Sequence, residues 1–455
     1  MKLPVKYYST NLIAPLVTFK EALFKGLAPD GGLYMPERFP ELSPWELESL
    51  ILESYPGLAS EILSRFLGDE IDKQEIDRIC RDIYTFDIPL EKVNGKTYLM
   101  RLDQGPTASF KDFAALFMGR IMEYYLEIDK QNITILTATS GDTGSAVANA
   151  FYGLKNIRVI ILFPAGEVTE MQRKQMTTLQ GNIKVIALNG KFDDCQKLVK
   201  KAFMDPGLSN HNLSSANSIN IGRLLPQSIY YFWAWSQLSG KADEQVIFSV
   251  PSGNFGNVAG GLIARGMGLP VKQFVISTNE NDEVPIYFKT GTYKPISPSR
   301  NCMSTAMNVG HPSNMARIID MYGGIMNEQG EILRLPDMER MRNELFAISV
   351  SDPQTMETIK MFYHQYKKVL EPHGSVSWFG LQEYLKNKSS YTETEHLCIC
   401  LETAHPGKFR EEIKNILNII PVLPESLKKI ETGNEEYISL DNNYEFLKKF
   451  ILQNY

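Results

Sequence analysis

From about residue 97 onward, short runs of apolar and β-branched residues alternate with stretches of helical periodicity, and this rhythm limits the folds open to the chain. The runs are NITILTAT (132–139), RVIILFP (158–164), IKVIAL (183–188), QVIFSV (245–250), KQFVIST (272–278) and HLCICLE (396–402). Each is about one strand long, and the intervals between them leave room for helices. The pattern predicts an α/β chain with largely parallel, open sheets flanked by helices. The first ninety or so residues read differently. SPWELESLILESYPGLASEILSRFL begins with the helix-start signal Ser43, Pro44 and Glu46, and DKQEIDRICRDIY also has helical periodicity. Ahead of both, APDGGLYMPERFP gathers Pro29, Asp30, Gly31 and Gly32 into a dense turn signal, so a small mixed or helical N-terminal domain is expected. The aromatic run IYYFWAW (229–235) reads as packing between layers. The C-terminal stretch ESLKKIETGNEEYISLDNNYEFLKKF reads as a charged, surface-docked element.

Bulk properties narrow the partners. The 455 residues are 43% hydrophobic and 22% charged with a net charge of -6, the composition of a soluble globular protein. Nucleic acid and anionic membrane surfaces both reward a basic face, so neither is expected as a partner. No apolar run approaches the roughly 18 residues of a membrane span, and MKLPVKYYST lacks the apolar segment of a signal peptide; a cytoplasmic location is expected. Cys80, Cys195, Cys302, Cys398 and Cys400 are odd in number and form no CxxC pair, which reads as free, buried thiols. The six histidines show no HExxH or paired spacing, and no metal is expected.

In open α/β sheets ligands gather beyond the carboxyl ends of the strands, and three such junctions carry chemistry. In QVIFSVPSGNFGNVAGGLIARG a strand runs through Pro251 to Asn257 into a small-residue helix. Inward-pointing N–H groups and a helix start there would cradle a phosphate, unless the segment is only a strand-to-helix turn. It is no dinucleotide loop, because Gly253 is followed two residues later by Phe255. NGKT at 94–97 is no Walker A loop either, with Leu90 where the first glycine belongs. In TATSGDTGSAVANA, Ser140, Asp142 and Thr143 are either ordinary N-caps or a place for a carboxylate. In LCICLETAHPGKF, Thr403 sets a hydroxyl at the same edge, or simply begins a turn. A lysine adds to these. In TASFKDFAALFMGRIMEYYLE (107–127), Lys111 falls on the apolar side of a helical pattern, roughly 140° from the middle of the charged arc. Either its stem lies along apolar surface with the ammonium reaching water, or a dry pocket lowers the preference for the charged form and frees the amine for an aldehyde. A dry lysine, a phosphate cradle, a carboxylate site and a hydroxyl at one sheet edge together fit pyridoxal phosphate and an amino-acid substrate.

Taken in order, GLAPDGGLYMPE, GPTASFKDFAA, ATSGDTGSA, NSINIGRLLPQ, PSGNFGN, HPSN, EPHGSV and TAHPGKF resemble segments of the threonine synthases, pyridoxal-phosphate enzymes of the tryptophan-synthase-β-like fold, fold type II. The resemblance implies an N-terminal domain over 1–95, a smaller α/β domain over 96–230 carrying Lys111 and the SGDTG helix start, and a larger cofactor-binding α/β domain over 231–455. Lys111 matches the lysine that carries the cofactor as a Schiff base. Gly253, Asn254, Phe255 and Asn257 are implied to hold the cofactor phosphate, Thr403 to face the pyridine nitrogen, and Asp142 to lie by the ring. Ser140, Thr143, Asn217 and Arg223 are implied substrate contacts. Three positions depart from the family's usual pattern: YYSTNL has no arginine after Ser-Thr, QGPTAS has no histidine before Gly-Pro-Thr, and HPSN stands for NPSN.

The activity so implied is that of a lyase of threonine biosynthesis, converting O-phospho-L-homoserine and water to L-threonine and phosphate by β,γ-replacement. The partner is then a small-molecule substrate, and the chain is a monomer or small homo-oligomer. Two readings compete with it: a phospho-lyase that gives 2-oxobutyrate, and a non-catalytic phosphometabolite-binding protein on the same scaffold.

Overall fold

The computed structural model describes residues 4–139, 141–241, 243–387 and 396–454. Two large sheets organise the described residues. The larger runs in the order Leu345–Ser349, Val271–Thr278, Val246–Pro251, Leu397–Glu402, Thr97–Arg101, Leu90–Asn94, and all its pairings but the last are parallel. The smaller is parallel throughout, in the order Ile438–Asp441, Ile183–Asn189, Ile157–Pro164, Ile133–Ala138, Leu213–Ser214. All six runs picked out above are strands of these sheets.

The strands read as unbroken apolar runs because both faces of each sheet are covered. Every residue of Ile133–Ala138, Val246–Pro251 and Leu397–Glu402 is buried. Alternate side chains go to opposite faces, as the period of two requires. In the larger sheet Leu99, Ile247, Cys398 and Cys400 pack with Trp378, Leu381 and Tyr384 of helix Pro372–Asn387. Their neighbours Met100, Phe248, Ile399 and Leu401 join the main core on the other face. There Phe248 and Phe274 stack against each other and both meet the Tyr231 ring edge-on. In the smaller sheet Leu136, Ile160, Leu162 and Ile186 pack with Leu198, Leu447 and Ile451, while Ile135, Val159, Ile161 and Val185 face the main core. Each fully buried aliphatic side chain contributes roughly 1.5–3 kcal/mol.

Four features differ from the sequence expectation. The lysine helix begins at Lys111 and not at Thr107, because residues 108–110 pair with 403–405 instead of coiling: Phe110 N–H donates to Thr403 O at 2.9 Å and His405 N–H to Ala108 O at 3.1 Å, with Ala108 at φ 54°. The stretch from Ser43 is several pieces: helix Pro44–Ser49, a 3-10 turn, then helix Tyr55–Leu67 restarted by Ser54, whose hydroxyl accepts the Gly57 N–H. Leu90–Asn94 and Thr97–Arg101 form an antiparallel hairpin on the edge of the larger sheet, turned at Gly95 with φ 50°. The C-terminal stretch does more than dock on the surface, since Ile438–Asp441 is the edge strand of the smaller sheet and Leu447 and Ile451 are in its core. Residues 90–101 thus pair in the larger sheet and 438–441 in the smaller.

Candidate active site

A cavity of about 1040 Å³ opens where the carboxyl ends of the central strands face the N-terminal segment. Lys111, Asp142, Thr143, Asn217, Arg223, Gly253, Asn254, Phe255, Asn257 and Thr403 all line it. Ser140 lies outside the described residues. Leu27, Pro29, Gly31 and Gly32 of the turn-rich N-terminal segment close its far wall. Asp30 fixes that turn by accepting from Ser9 Oγ at 2.6 Å and from the N–H groups of Ala14, Gly32 and Ile13 at 2.8, 3.0 and 3.1 Å.

Lys111 is the first residue of the 19-residue helix Lys111–Asp129, and its side chain is only 16% exposed. Its Nζ lies 3.5 Å from Asp142 Oδ2 and 4.7 Å from the centre of the Phe110 ring. Burial pulls the ammonium below the usual lysine range; Asp142 opposes that pull, while Lys408 and Arg223 add to it. A helix N-terminus disfavours a cation as well. The lysine on the apolar face of the helical pattern thus lies in a partly dry cavity, with its ammonium turned toward Asp142.

Asp142 opens helix Asp142–Phe151 but does not cap it. That task falls to Thr139, whose Oγ1 accepts the N–H groups of Gly144 at 2.7 Å and Gly141 at 3.0 Å. The Asp142 carboxylate is left for other partners: Oδ1 takes the Lys408 ammonium at 2.7 Å and the Gln172 amide at 3.0 Å, and Oδ2 faces Lys111. Burial works against its charge, but Lys408 and Lys111 outweigh burial and hold it well below the usual carboxylate range. Gly141, at φ 133°, makes the approach possible, because a Cβ there would sit 2.5 Å from Gln172 Cδ. Nearby, Asp112 accepts the Thr107 N–H at 2.8 Å and its hydroxyl at 2.5 Å, yet burial pushes its carboxyl up to about 6.

The turn after Val246–Pro251 has the donors of an anion site. Phe255 takes φ 60° and turns the chain into helix Gly256–Gly266, whose first N–H groups have no partner within the helix. Asn257 Oδ1 accepts the hydroxyls of Tyr231 at 2.6 Å and Tyr230 at 2.7 Å, while its buried Nδ2 has no partner. The aromatic run is thus packing, as expected, and its two tyrosine hydroxyls also fix this amide. Arg223 is buried too, its Nε without a partner and burial pulling it down to about 10. Gly253 has to be glycine, since a Cβ would come 2.9 Å from Ala306 O and Met307 Cα. Asn314 anchors the turn, donating from Nδ2 to Asn254 O at 3.0 Å, and Arg317 anchors Asn314 through Oδ1 at 2.6 Å. The fully buried Arg317 also donates to Tyr34 O at 3.0 Å and Ile219 O at 2.7 Å, so one guanidinium joins three segments around the cavity.

Among the other predicted residues, Asn217 Oδ1 accepts the Thr137 hydroxyl. Thr403 is buried directly after the central strand, with its carbonyl fixing the turn before Lys111. Lys408, Gln172, Arg317 and His373 went unassigned in the sequence. Lys408 lies inside TAHPGKF and His373 inside EPHGSV, so both stood within quoted motifs; Gln172 and Arg317 carried no comparable signal. His373 borders the cavity, its Nε2 accepting the Ala306 N–H at 3.1 Å.

Known protein families match this chain along nearly its whole length. Residues 85–401 match the family model described as pyridoxal-phosphate dependent enzyme, residues 6–84 that of the threonine synthase N terminus, and residues 379–451 that of the threonine synthase C-terminal part. A threonine synthase of Haemophilus influenzae is 41% identical over 439 residues, covering 96% of this chain and 97% of that protein. The crystal structure of PLP-bound threonine synthase from Brucella melitensis superimposes with a TM-score of 0.91 at 33% identity, covering 99% of each chain. That of Escherichia coli threonine synthase gives 0.87 at 35% identity, covering 99% of this chain and 100% of the other.

Proposed function

The chain belongs to the threonine synthase family, and from that membership we propose that the Lys111 cavity is where O-phospho-L-homoserine and water become L-threonine and phosphate. The enzyme is a pyridoxal-phosphate-dependent lyase. The residues suit that cofactor: an amine, Lys111, shares one cavity with a helix start and an orphaned amide donor at Asn257, and no carboxylate occurs among Gly253 to Asn257 to repel a phosphate. Pyridoxal phosphate, when bound, supplies an aldehyde for an amine and a conjugated ring that takes up negative charge from the carbon beside the substrate nitrogen.

The chain's own side chains carry the remaining tasks. Lys111 would hold the cofactor and then move protons at the substrate carbons, a role that needs an amine able to exist uncharged near neutral pH. Burial, the helix start, Lys408 and Arg223 all push it that way. Gly253, Asn254, Phe255 and Asn257 would bind the cofactor phosphate, and Asp142 would orient the lysine beside the ring. Thr403 would offer the ring nitrogen a neutral hydroxyl, which leaves that nitrogen largely unprotonated. Two phosphates demand two anion sites; Arg223, with Ser140, Thr143 and Asn217, serves the substrate in this reading. The wall formed by Leu27, Pro29, Gly31 and Gly32 would limit the access of water to the substrate.

The single observation that carries the assignment of sites is the convergence of Lys111, Asp142, Arg223, Asn257 and Thr403 on one cavity. Among the described residues no helix is long and apolar enough to cross a membrane. A cytoplasmic enzyme acting as a monomer or small homo-oligomer accords with the reading. Incubation of the purified holoprotein with O-phospho-L-homoserine, followed by amino-acid and keto-acid analysis, tests it. Threonine and phosphate in equal amounts are expected; phosphate accompanied by 2-oxobutyrate and no threonine would overturn the assignment.

A further inference from the structure

Lys111 is not the only lysine that faces Asp142. The Lys408 side chain is fully buried, in the turn Pro406–Phe409, with its ammonium donating to Asp142 Oδ1 at 2.7 Å and to Thr107 O at 3.1 Å. A buried ammonium is expensive unless paired, and Asp142 is its only carboxylate partner among the described residues. The carboxylate is shared unequally. Oδ1 is filled by Lys408 and Gln172, whereas Oδ2 stands 3.5 Å from Lys111, longer than a direct charged hydrogen bond.

We propose that Lys408 is a positioning residue for Lys111: by occupying the inner oxygen of Asp142 it lets this carboxylate aim the Lys111 amine into the cavity without holding it as a full ion pair. The charge count supports this. Lys408 and Asp142 neutralise each other, so the cluster is balanced when Lys111 is uncharged and carries excess positive charge when it is not. Remove Lys408, and Asp142 becomes an unshared anion facing Lys111, which then favours the ammonium. The groups facing Lys111 from each neighbouring element are Asp142 on its helix, Lys408 on the 406–409 turn and Arg223 on helix Ile221–Leu224. His373, on helix Pro372–Asn387, adds its influence on Asp142. Asp112, beside Lys111 on the same helix, faces Lys408 and Arg223, and Lys408 is the cation bound to Asp142.

The inference rests on Lys111 being the cofactor-bearing amine, and its test separates the two. In holoenzyme, the midpoint of the pH titration of the cofactor's visible band and the acid limb of the pH–rate profile are measured for wild type, Lys408→Met, Lys408→Gln, Lys408→Arg and Asp142→Asn, with thermal unfolding as the check on folding. Both neutral variants are expected to move the two midpoints upward by about 1–3 pH units. Lys408→Arg, which keeps the charge, should restore most of the shift, and Asp142→Asn, which keeps Lys408, should move the midpoints downward. A folded neutral variant with wild-type midpoints, an Arg variant shifted as far as Met, or an unmoved Asp142→Asn would each overturn the proposal. Failure of the cofactor reading itself looks different: wild-type protein would show no visible band at all.

Discussion

Asn257 shows how much one side chain can be asked to do. Its Oδ1 is saturated by two tyrosine hydroxyls, which leaves Nδ2 as a fixed, desolvated donor beside a helix start. Asn257→Ala removes that donor and strands the Tyr230 hydroxyl, while Tyr231 keeps the residue 257 carbonyl as acceptor; pyridoxal phosphate affinity, read by absorbance titration, should fall by about 10- to 100-fold, equivalent to roughly 1.5–3 kcal/mol. An unchanged affinity would move the phosphate elsewhere. Not every residue here was equally legible in the sequence. Lys111 was conspicuous because an ammonium broke an apolar pattern, and Gly253 to Asn257 because a glycine-rich turn followed a strand. Lys408 was invisible as a partner: it meets Asp142 only because residues 403–405 pair with 108–110, a contact between distant segments that no local periodicity encodes.

At the scale of elements, the cavity depends on how few groups hold its walls together. Arg317 satisfies carbonyls of Tyr34 and Ile219 and the amide oxygen of Asn314, joining the N-terminal strand, the loop before Arg223 and the loop that anchors Asn254. Burial pulls this guanidinium down to about 9, a sign of how dry its surroundings are. Arg317→Met would leave those acceptors buried and unpaired at a cost of about 3–5 kcal/mol. Chemical denaturation should register that loss, together with weaker cofactor binding because the Asn254 turn loosens. Equal stability and affinity in the variant would show that the three segments hold without it. The strands buried on both faces were readable because burial leaves no polar alternation to blur them. The hairpin of Leu90–Asn94 and Thr97–Arg101 was missed although Asn94-Gly95 is a strong turn signal, since its outer strand is half exposed and mixes charges with apolar residues. Ile438–Asp441 escaped for the same reason, as a short and largely exposed edge strand within a charged segment.

For the whole molecule, two buried carboxylates push the pH dependence of stability in opposite directions. Asp142 is held below its unfolded value, so its contribution is present above about pH 4 and is lost as pH falls. Asp112, raised to about 6 by burial, binds its proton more tightly folded than unfolded; its ionisation therefore costs stability as pH rises from about 4 to about 6. Comparing wild type with Asp112→Asn by urea denaturation across that window, the wild type should lose about 2 kcal/mol relative to the variant between the two ends. Parallel curves would mean that Asp112 is already ionised throughout.

The account turns on which amine carries the cofactor, since two lysines share the Asp142 carboxylate. Borohydride reduction of the holoenzyme followed by peptide mass mapping answers this directly. The account predicts a pyridoxyl-phosphate mass on the peptide containing Lys111, absent from the Lys111→Ala protein; label on Lys408, or on no lysine of the cavity, would contradict it.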